Sequence, residues 1–329
     1  MPCASVPPPD PPLGSSTSAG SATRLAALDL GTNTVRLLVA EAAGSAWRAL
    51  HEAQRVTRLG EGQTAAAGRL QEPAIRRTLE TIAEFVASAQ RFGISRLRMV
   101  ATSAVREAPN RAEFTARVES ATGQAVEVVS GEEEAGLTLL GVSAGLRELD
   151  GAFLLFDIGG GSTELVLARH GRAFRALSLR LGVVPLAERF IDTRPVEPDR
   201  LALLRAELDA RLAAEIPAEL SEATTVPLVG TAGTVTTLAA LDLALARYDA
   251  QRVHGHVLRR PAVEALLART AALTLGERAA LPCLEPGRAD VLVPGIVICL
   301  AALARLRRES LIVSDWGLRE GIVHQMLGV

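Results

Sequence analysis

The chain contains one short device twice. Asp29-Leu-Gly-Thr-Asn-Thr-Val-Arg-Leu-Leu-Val-Ala40 aligns without a gap on Asp157-Ile-Gly-Gly-Gly-Ser-Thr-Glu-Leu-Val-Leu-Ala168, 128 positions further on. In each copy an apolar run ends in an aspartate, Leu25 to Leu28 before Asp29 and Phe153 to Phe156 before Asp157. A glycine-bearing turn with hydroxyl or amide residues follows, and then a second apolar run. Strand, tight turn and returning strand describe a β-hairpin whose tip carries a carboxylate and a row of backbone N–H groups. Such N–H groups form a concavity for an anion such as phosphate. The carboxylate suits a divalent cation that would neutralise the phosphate. Three glycines in a row, Gly159 to Gly161, cost backbone entropy unless something needs close approach to the backbone. Two facing copies are expected to clamp one phosphate–metal unit between two domains.

At 329 residues the chain is long enough for about two domains of ordinary size. Its net charge of −2 sets it apart from nucleic-acid and membrane binders, so an anionic ligand must be met by local arginines. All 35 basic residues counted as Lys or Arg are arginine. Without lysine there is neither a Walker-A loop nor a Schiff-base enzyme, whereas arginine is well suited to bidentate phosphate recognition. Cys3, Cys283 and Cys299 are far apart and show no CxxC or Cys/His zinc spacing, which predicts free thiols in a reducing cytoplasm. No apolar run reaches the ~18–20 residues of a membrane span; Val291 to Leu303 reads as a buried helix. Residues 1–22 lack a signal-peptide pattern and read as a disordered tail.

Along the chain, Trp47 to Val56 extends the first hairpin. Glu72-Pro73 opens a helix whose apolar residues, Ile75 to Ala89, recur at helical spacing before Gly93. Leu97 to Ala101 and Val126 to Val129 read as short strands, and a helix begins at Ser130-Gly-Glu-Glu-Glu-Ala135. The second copy repeats the opening, followed by a helix over Leu201 to Ile216 and a strand over Val226 to Val229 that runs into Gly230-Thr-Ala-Gly233-Thr. This alternation predicts an α/β chain of two domains, residues 23–150 and 151–329, with the segment 314–327 a candidate to pack back on the first.

Several motifs carry a plain reading beside a functional one. Asp and Gly are ordinary hairpin residues. Ser130 can cap a helix, and acids in a first turn favour its dipole, which accounts for two of the three glutamates. Arg106 could lie on an ordinary surface. His254-Gly-His256 offers metal-type ligands but no third partner nearby, so it reads as a loop. Gly230-Thr231-Ala-Gly233 suits either a helix start or a further phosphate turn.

Taken together, these pieces resemble the exopolyphosphatase and guanosine pentaphosphate phosphohydrolase family, within the actin-like, sugar-kinase and Hsp70 superfamily. The resemblance runs from about Arg24 to Leu327. It is carried by Asp29-Leu-Gly-Thr-Asn-Thr-Val-Arg-Leu, Ala101-Thr-Ser-Ala-Val-Arg-Glu, Ser130-Gly-Glu-Glu-Glu-Ala, Asp157-Ile-Gly-Gly-Gly-Ser-Thr-Glu, Val229-Gly-Thr-Ala-Gly-Thr and Ser314-Asp-Trp-Gly-Leu-Arg-Glu-Gly. Many members have serine where Thr32 and Thr34 stand, which keeps the hydroxyls. The resemblance implies two ribonuclease-H-like α/β domains with an interdomain cleft. It implies that Glu134 activates the attacking water, with Asp157 and Glu164 as the acidic pair associated with metal and catalysis, and Asp29 as a further metal ligand. Asn33, Arg106, Gly160, Gly161 and Ser162 fall where phosphate contacts are expected. Gly31, Thr32, Thr34, Gly159, Gly230, Thr231 and Gly233 complete the candidate phosphate turns.

The expected activity is Mg²⁺-dependent (or Mn²⁺-dependent) hydrolysis of the terminal phosphoanhydride of inorganic polyphosphate. Removal of the 5′ γ-phosphate of pppGpp is the alternative within the family. An ATP-dependent kinase, or a non-catalytic polyphosphate or alarmone binder, is the alternative of another class. Neither nucleic acid nor membrane is an expected partner, and a homodimer is left open. Longer members of the family carry an additional helical domain after this core, which leans the expectation toward short or medium polymers. So does the scarcity of aromatic residues beside the motifs, where Trp316 and Phe156 are the nearest in sequence.

Overall fold

Each hairpin opens its own sheet in the computed structural model, which describes residues 23–149, 151–222 and 226–328. The expected tail, 1–22, lies outside the described residues. In chain order, β1 (Thr23–Leu30), β2 (Thr34–Ala43) and β3 (Ala46–Val56) form an antiparallel ribbon. Helix α1 (Glu72–Arg91) leads to β4 (Arg96–Ala101), which lies parallel to β1; α2 (Ser103–Arg106), α3 (Arg111–Thr122), β5 (Glu127–Val128) and α4 (Gly131–Gly145) follow. The five-stranded sheet has the order β3-β2-β1-β4-β5.

The second hairpin repeats this plan. β6 (Ala152–Ile158), β7 (Thr163–Arg169) and β8 (Arg172–Leu179) are again antiparallel. After α5 (Val183–Phe190), α6 (Pro198–Glu215) and α7 (Ala218–Glu222), β9 (Leu228–Thr231) lies parallel to β6. Next come α8 (Ala232–Asp242), α9 (Ala250–Val253), β10 (Val257–Arg259), α10 (Arg260–Ala271), α11 (Leu275–Ala279), α12 (Leu292–Arg305), β11 (Ser310–Val313) and finally α13 (Leu318–Leu327). The six-stranded order, β10-β11-β9-β6-β7-β8, is the first sheet's plan with β10 added antiparallel at the edge. Both sheets are ribonuclease-H-like.

Local chemistry explains the elements. β1 is central and buried on both faces from Leu25 to Leu30, so its apolar run is continuous rather than alternating. In α1, Pro73 sits in the first turn, and Ile75, Ile82, Phe85 and Val86 line the buried stripe. Gly93, at φ +66°, ends it in the left-handed conformation that lacks a steric penalty only for glycine. α12 is apolar nearly all round and buried along most of its length, as a core helix should be. No helix among the described residues is long and apolar enough to cross a membrane.

The chain divides into two units: residues up to Gly141 together with those from Leu318, and Val142–Gly317. The division therefore falls inside α4, ahead of the polar turn at 149–151 where the sequence suggested a boundary. Early in α4, Leu137 joins Ala27, Leu38, Val100, Ile322 and Val323 in a core on one face of the first sheet. At its end, Gly145 lies against His254 and Trp316. The C-terminal segment is likewise divided. Residues 314–317 belong to the second unit, and α13 to the first. In the first unit, α1 and α3 cover the opposite face of the sheet, where Ile82, Phe85, Phe114 and Val118 pack on Leu28, Leu30 and Val35.

Helices α4 and α13 approach closely because Gly321 has no side chain. A Cβ there would lie 1.8 Å from the carbonyl oxygen of Leu137. Gly321→Ala is expected to force the helices apart, at a cost of about 3 kcal/mol or more, and to lower the melting temperature by several degrees. An unchanged melting temperature would show that the contact has slack.

Candidate active site

The duplicated turns have the same hydrogen-bond geometry. Gly31 N–H donates to the Thr34 carbonyl at 3.1 Å, and Gly159 N–H to the Ser162 carbonyl at 2.9 Å. A Cβ on either glycine would lie 3.0 Å from that same carbonyl oxygen. Closing the turn in this way leaves the N–H groups of Thr32, Asn33, Gly160 and Gly161 without an acceptor among the described residues. Thr32 Oγ1 and Asn33 Oδ1 are also buried without a hydrogen-bond partner. Buried polar groups left in this way normally cost stability, and successive backbone N–H groups of this kind suit an anion. The second turn is tied down from behind, since Val183 and Val184 N–H donate to the Gly159 and Gly160 carbonyls. Gly182 fits against it so tightly that a Cβ would stand 2.2 Å from the Gly160 oxygen.

Register then gives the two copies different chemistry. Asp29 faces Arg36 across β1 and β2, whereas Asp157 faces Glu164 across β6 and β7. In the second sheet a polar row runs Ser178, Glu164, Asp157, Thr231 over four neighbouring strands. Ser178 Oγ donates to Glu164 Oε1 at 2.8 Å. Thr231 Oγ1 donates to the Ser314 and Trp316 carbonyls, which anchors the loop after β11 to the Gly230 turn. Sequence reasoning named Gly230, Thr231 and Gly233, and the register places Thr231 beside Asp157.

Two carboxylates directly opposite each other repel, a donor set that fits a divalent cation. Among the described residues no group of three or more His, Cys, Asp or Glu side chains is gathered to hold a metal ion. The pair suits a divalent cation bound through one or two carboxylates rather than an all-protein cage. His254 and His256 are engaged structurally. His254 Nδ1 accepts from Asp315 N–H, so Nε2 carries the proton it donates to the Gly145 carbonyl, and His256 pairs with Asp242.

In the first unit, Glu134 is buried at the start of α4. Arg106 Nη1 donates to Glu134 Oε2 at 2.7 Å and to the Val129 carbonyl at 3.1 Å. The candidate base and the candidate phosphate ligand are thus in direct contact. The neighbouring glutamate serves the helix itself. Ser130 N–H donates to Glu133 Oε2 and Glu133 N–H to Ser130 Oγ, a reciprocal capping box.

Sequence reasoning passed over the loop after β3. Thr57 and Arg58 N–H both donate to the Asn33 carbonyl, and Gly60 N–H to the Thr32 carbonyl. Gln63 Nε2 then reaches the Ala104 carbonyl in α2, the helix of Arg106. The available signal was Arg58-Leu-Gly-Glu-Gly62, two closely spaced glycines directly after a strand.

Asp29 is buried, and burial pushes its carboxyl from 3.8 up to about 6; Arg36 and Arg319 oppose the shift and Glu320 adds to it. A carboxyl whose folded pKa is raised binds its proton more tightly in the folded state, so stability falls as pH rises through the window from about 4 to 6. The shift of about two units corresponds to roughly 3 kcal/mol above pH 6. Asp29→Asn should therefore be more stable than the parent by up to that amount at pH 7.5, with the difference vanishing near pH 4. Thermal melts across pH check this, and a difference independent of pH would refute it.

The chain is similar to known proteins over most of its length. Exopolyphosphatase 2 of Mycobacterium tuberculosis is 38% identical over 326 residues, covering 93% of this chain and 99% of that protein. The guanosine-5′-triphosphate,3′-diphosphate pyrophosphatase of Aeromonas salmonicida is 32% identical over 308 residues, covering 92% of this chain and 59% of its own length. The crystal structure of the Aquifex aeolicus Ppx/GppA family member superposes with a TM-score of 0.76 at 34% identity, covering 93% of this chain and 98% of that one. The Ppx/GppA phosphatase family matches residues 38–329, and the chain belongs to that family.

Proposed function

We propose that this chain is a divalent-cation-dependent exopolyphosphatase that releases orthophosphate from the end of inorganic polyphosphate. The observation that carries the reading is the contact between Glu134 and Arg106, which sets a water-activating carboxylate beside a guanidinium suited to a phosphoryl oxygen. Glu134 accepts a proton from water, and the water oxygen attacks the terminal phosphorus. The bridging P–O bond breaks, and the shortened chain leaves with the bond's electrons.

In such a transition state, charge spreads over three equatorial oxygens, so positioning and donors do most of the catalysis. In the first unit the candidate donors are Arg106 and the N–H groups of Thr32 and Asn33; in the second, the N–H groups of Gly160 and Gly161 form a turn of the same kind. Asp157 and Glu164 would hold Mg²⁺ or Mn²⁺, which supplies further positive charge to phosphate oxygens. Gly31, Thr34, Gly159 and Ser162 shape the turns, and Gly230, Thr231 and Gly233 form a third glycine turn beside Asp157.

Hydrolysis of pppGpp is the second reading, supported by the Aeromonas relative's name. Polyphosphate is favoured for two reasons. The relative named exopolyphosphatase is matched over nearly its whole length. In addition, the two aromatic residues nearest the motifs in sequence are taken up in packing: Phe156 lies in the core, and Trp316 lies against Gly145. A base-free substrate needs only N–H groups, arginine and a cation.

Two measurements test the proposal. Glu134→Gln should lower kcat by roughly 10²–10⁴ with little change in KM. Glu133→Ala should cost about 1 kcal/mol of stability through the capping box, with near-parental turnover; the opposite ranking of the two variants would exchange the roles. In a competition assay at equal Mg²⁺ and salt, short polyphosphate should show the higher kcat/KM, and activity should vanish in EDTA and return with Mg²⁺. Preference for pppGpp would move the chain to the second reading, and full activity after exhaustive chelation would make the carboxylates structural.

A further inference from the structure

Arg58 holds a backbone conformation that its side chain disfavours. Its φ is +54°, in the left-handed region that glycine, and to a lesser degree Asn and Asp, adopt readily and an arginine does not. Three of the other non-glycine residues in this region have plain local explanations. Ala244 and Arg307 close helices α8 and α12, and His170 turns the β7–β8 hairpin. Arg58 does neither. It follows β3 in the loop built against the first phosphate turn, where the Asn33 carbonyl accepts both Thr57 N–H at 3.0 Å and Arg58 N–H at 2.9 Å. Two residues on, Gly60 approaches so closely that a Cβ would stand 2.4 Å from Thr32 Cγ2. Gln63 ties the same loop to the Ala104 carbonyl in α2, which ends in Arg106.

The loop thus bridges the turn bearing the buried, hydrogen-bond-lacking Asn33 Oδ1 and Thr32 Oγ1 and the helix bearing Arg106. Glycine would adopt the conformation without strain, yet the position holds the residue type best suited to phosphate oxygens. Strain held at a substrate turn is the pattern of a residue kept for function.

We propose that Arg58 is a second guanidinium for the substrate, contacting a phosphate oxygen of the anion bound at the Thr32–Asn33 turn. This rests on the polyphosphate-hydrolase reading. The ligand chemistry is a linear polyanionic phosphate, for which inorganic tripolyphosphate is the probe.

The test sets stability against binding. Arg58→Gly removes both the strain and the guanidinium, so the variant should melt at or above the parental temperature. Its KM for tripolyphosphate should rise about 10- to 100-fold, the effect of losing a charge-assisted hydrogen bond, with a smaller change in kcat. Arg58→Asn, which tolerates the left-handed region, should behave likewise, and Arg58→Lys should recover part of the loss. Calorimetric titration of tripolyphosphate into Glu134→Gln and into Glu134→Gln/Arg58→Gly reads the same contact without turnover. Equal affinity in the two, with the wild type hydrolysing tripolyphosphate, overturns the role of Arg58 alone. A wild-type protein that neither binds nor hydrolyses tripolyphosphate overturns the underlying reading as well. A fall in melting temperature with unchanged KM would make Arg58 a structural residue.

Discussion

The hydrogen bond from Gly31 N–H to the Thr34 carbonyl, repeated from Gly159 to Ser162, is the constraint on which the rest depends. It closes each hairpin around four residues and fixes the register at once. The aspartate becomes the penultimate residue of its strand, and the hydroxyl-bearing residue begins or immediately precedes the returning strand. It also points the turn's own N–H groups outward, because a closed turn cannot use them internally. A side chain at either glycine would press on the carbonyl that accepts the bond, so the small residue and the anion nest share one cause.

With the turns alike, the copies differ through a single pairing. Arg36 opposite Asp29 supplies a fixed cation from the protein, and Arg319 of α13 adds a second. Glu164 opposite Asp157 does the reverse and concentrates negative charge. A divalent cation would suit the second pairing better than the first. The duplicated sequence thus supports an unequal division of labour, decided at the position seven residues after each aspartate.

Much of this was legible in the sequence because it is local. Strand, turn and strand are written in consecutive residues, and Pro73 and Gly93 mark the limits of α1. Ser130 and Glu133 carry the reciprocal cap in their spacing alone. What could not be read depends on residues distant along the chain. Arg106 and Glu134 were named separately, and nothing in the sequence says that their side chains touch. The loop from Thr57 to Gln63 was missed because its purpose lies in contacts to Asn33 and Ala104 rather than in its own pattern. The change of unit inside α4 escaped for a related reason. The helix is continuous, and only its neighbours change, from Ile322 and Val323 near its start to His254 and Trp316 at its end.

Several unfavourable features gather at the glycine turns. Ala232, φ +67°, opens α8 directly after Thr231, in a conformation glycine would hold without strain. Asp29 is buried as a carboxyl, and Thr32 and Asn33 bury polar atoms without hydrogen-bond partners. Each costs of order 1–3 kcal/mol. Surrounding packing offsets them. β1 is wholly apolar from Leu25 to Leu28, and α12 places apolar residues on every side of a core that also holds Leu154, Phe156 and Val235. Backbone N–H groups that point outward from a closed turn offer an anion donors that a well-satisfied surface lacks. The buried strands and helices around the turns hold such residues in place.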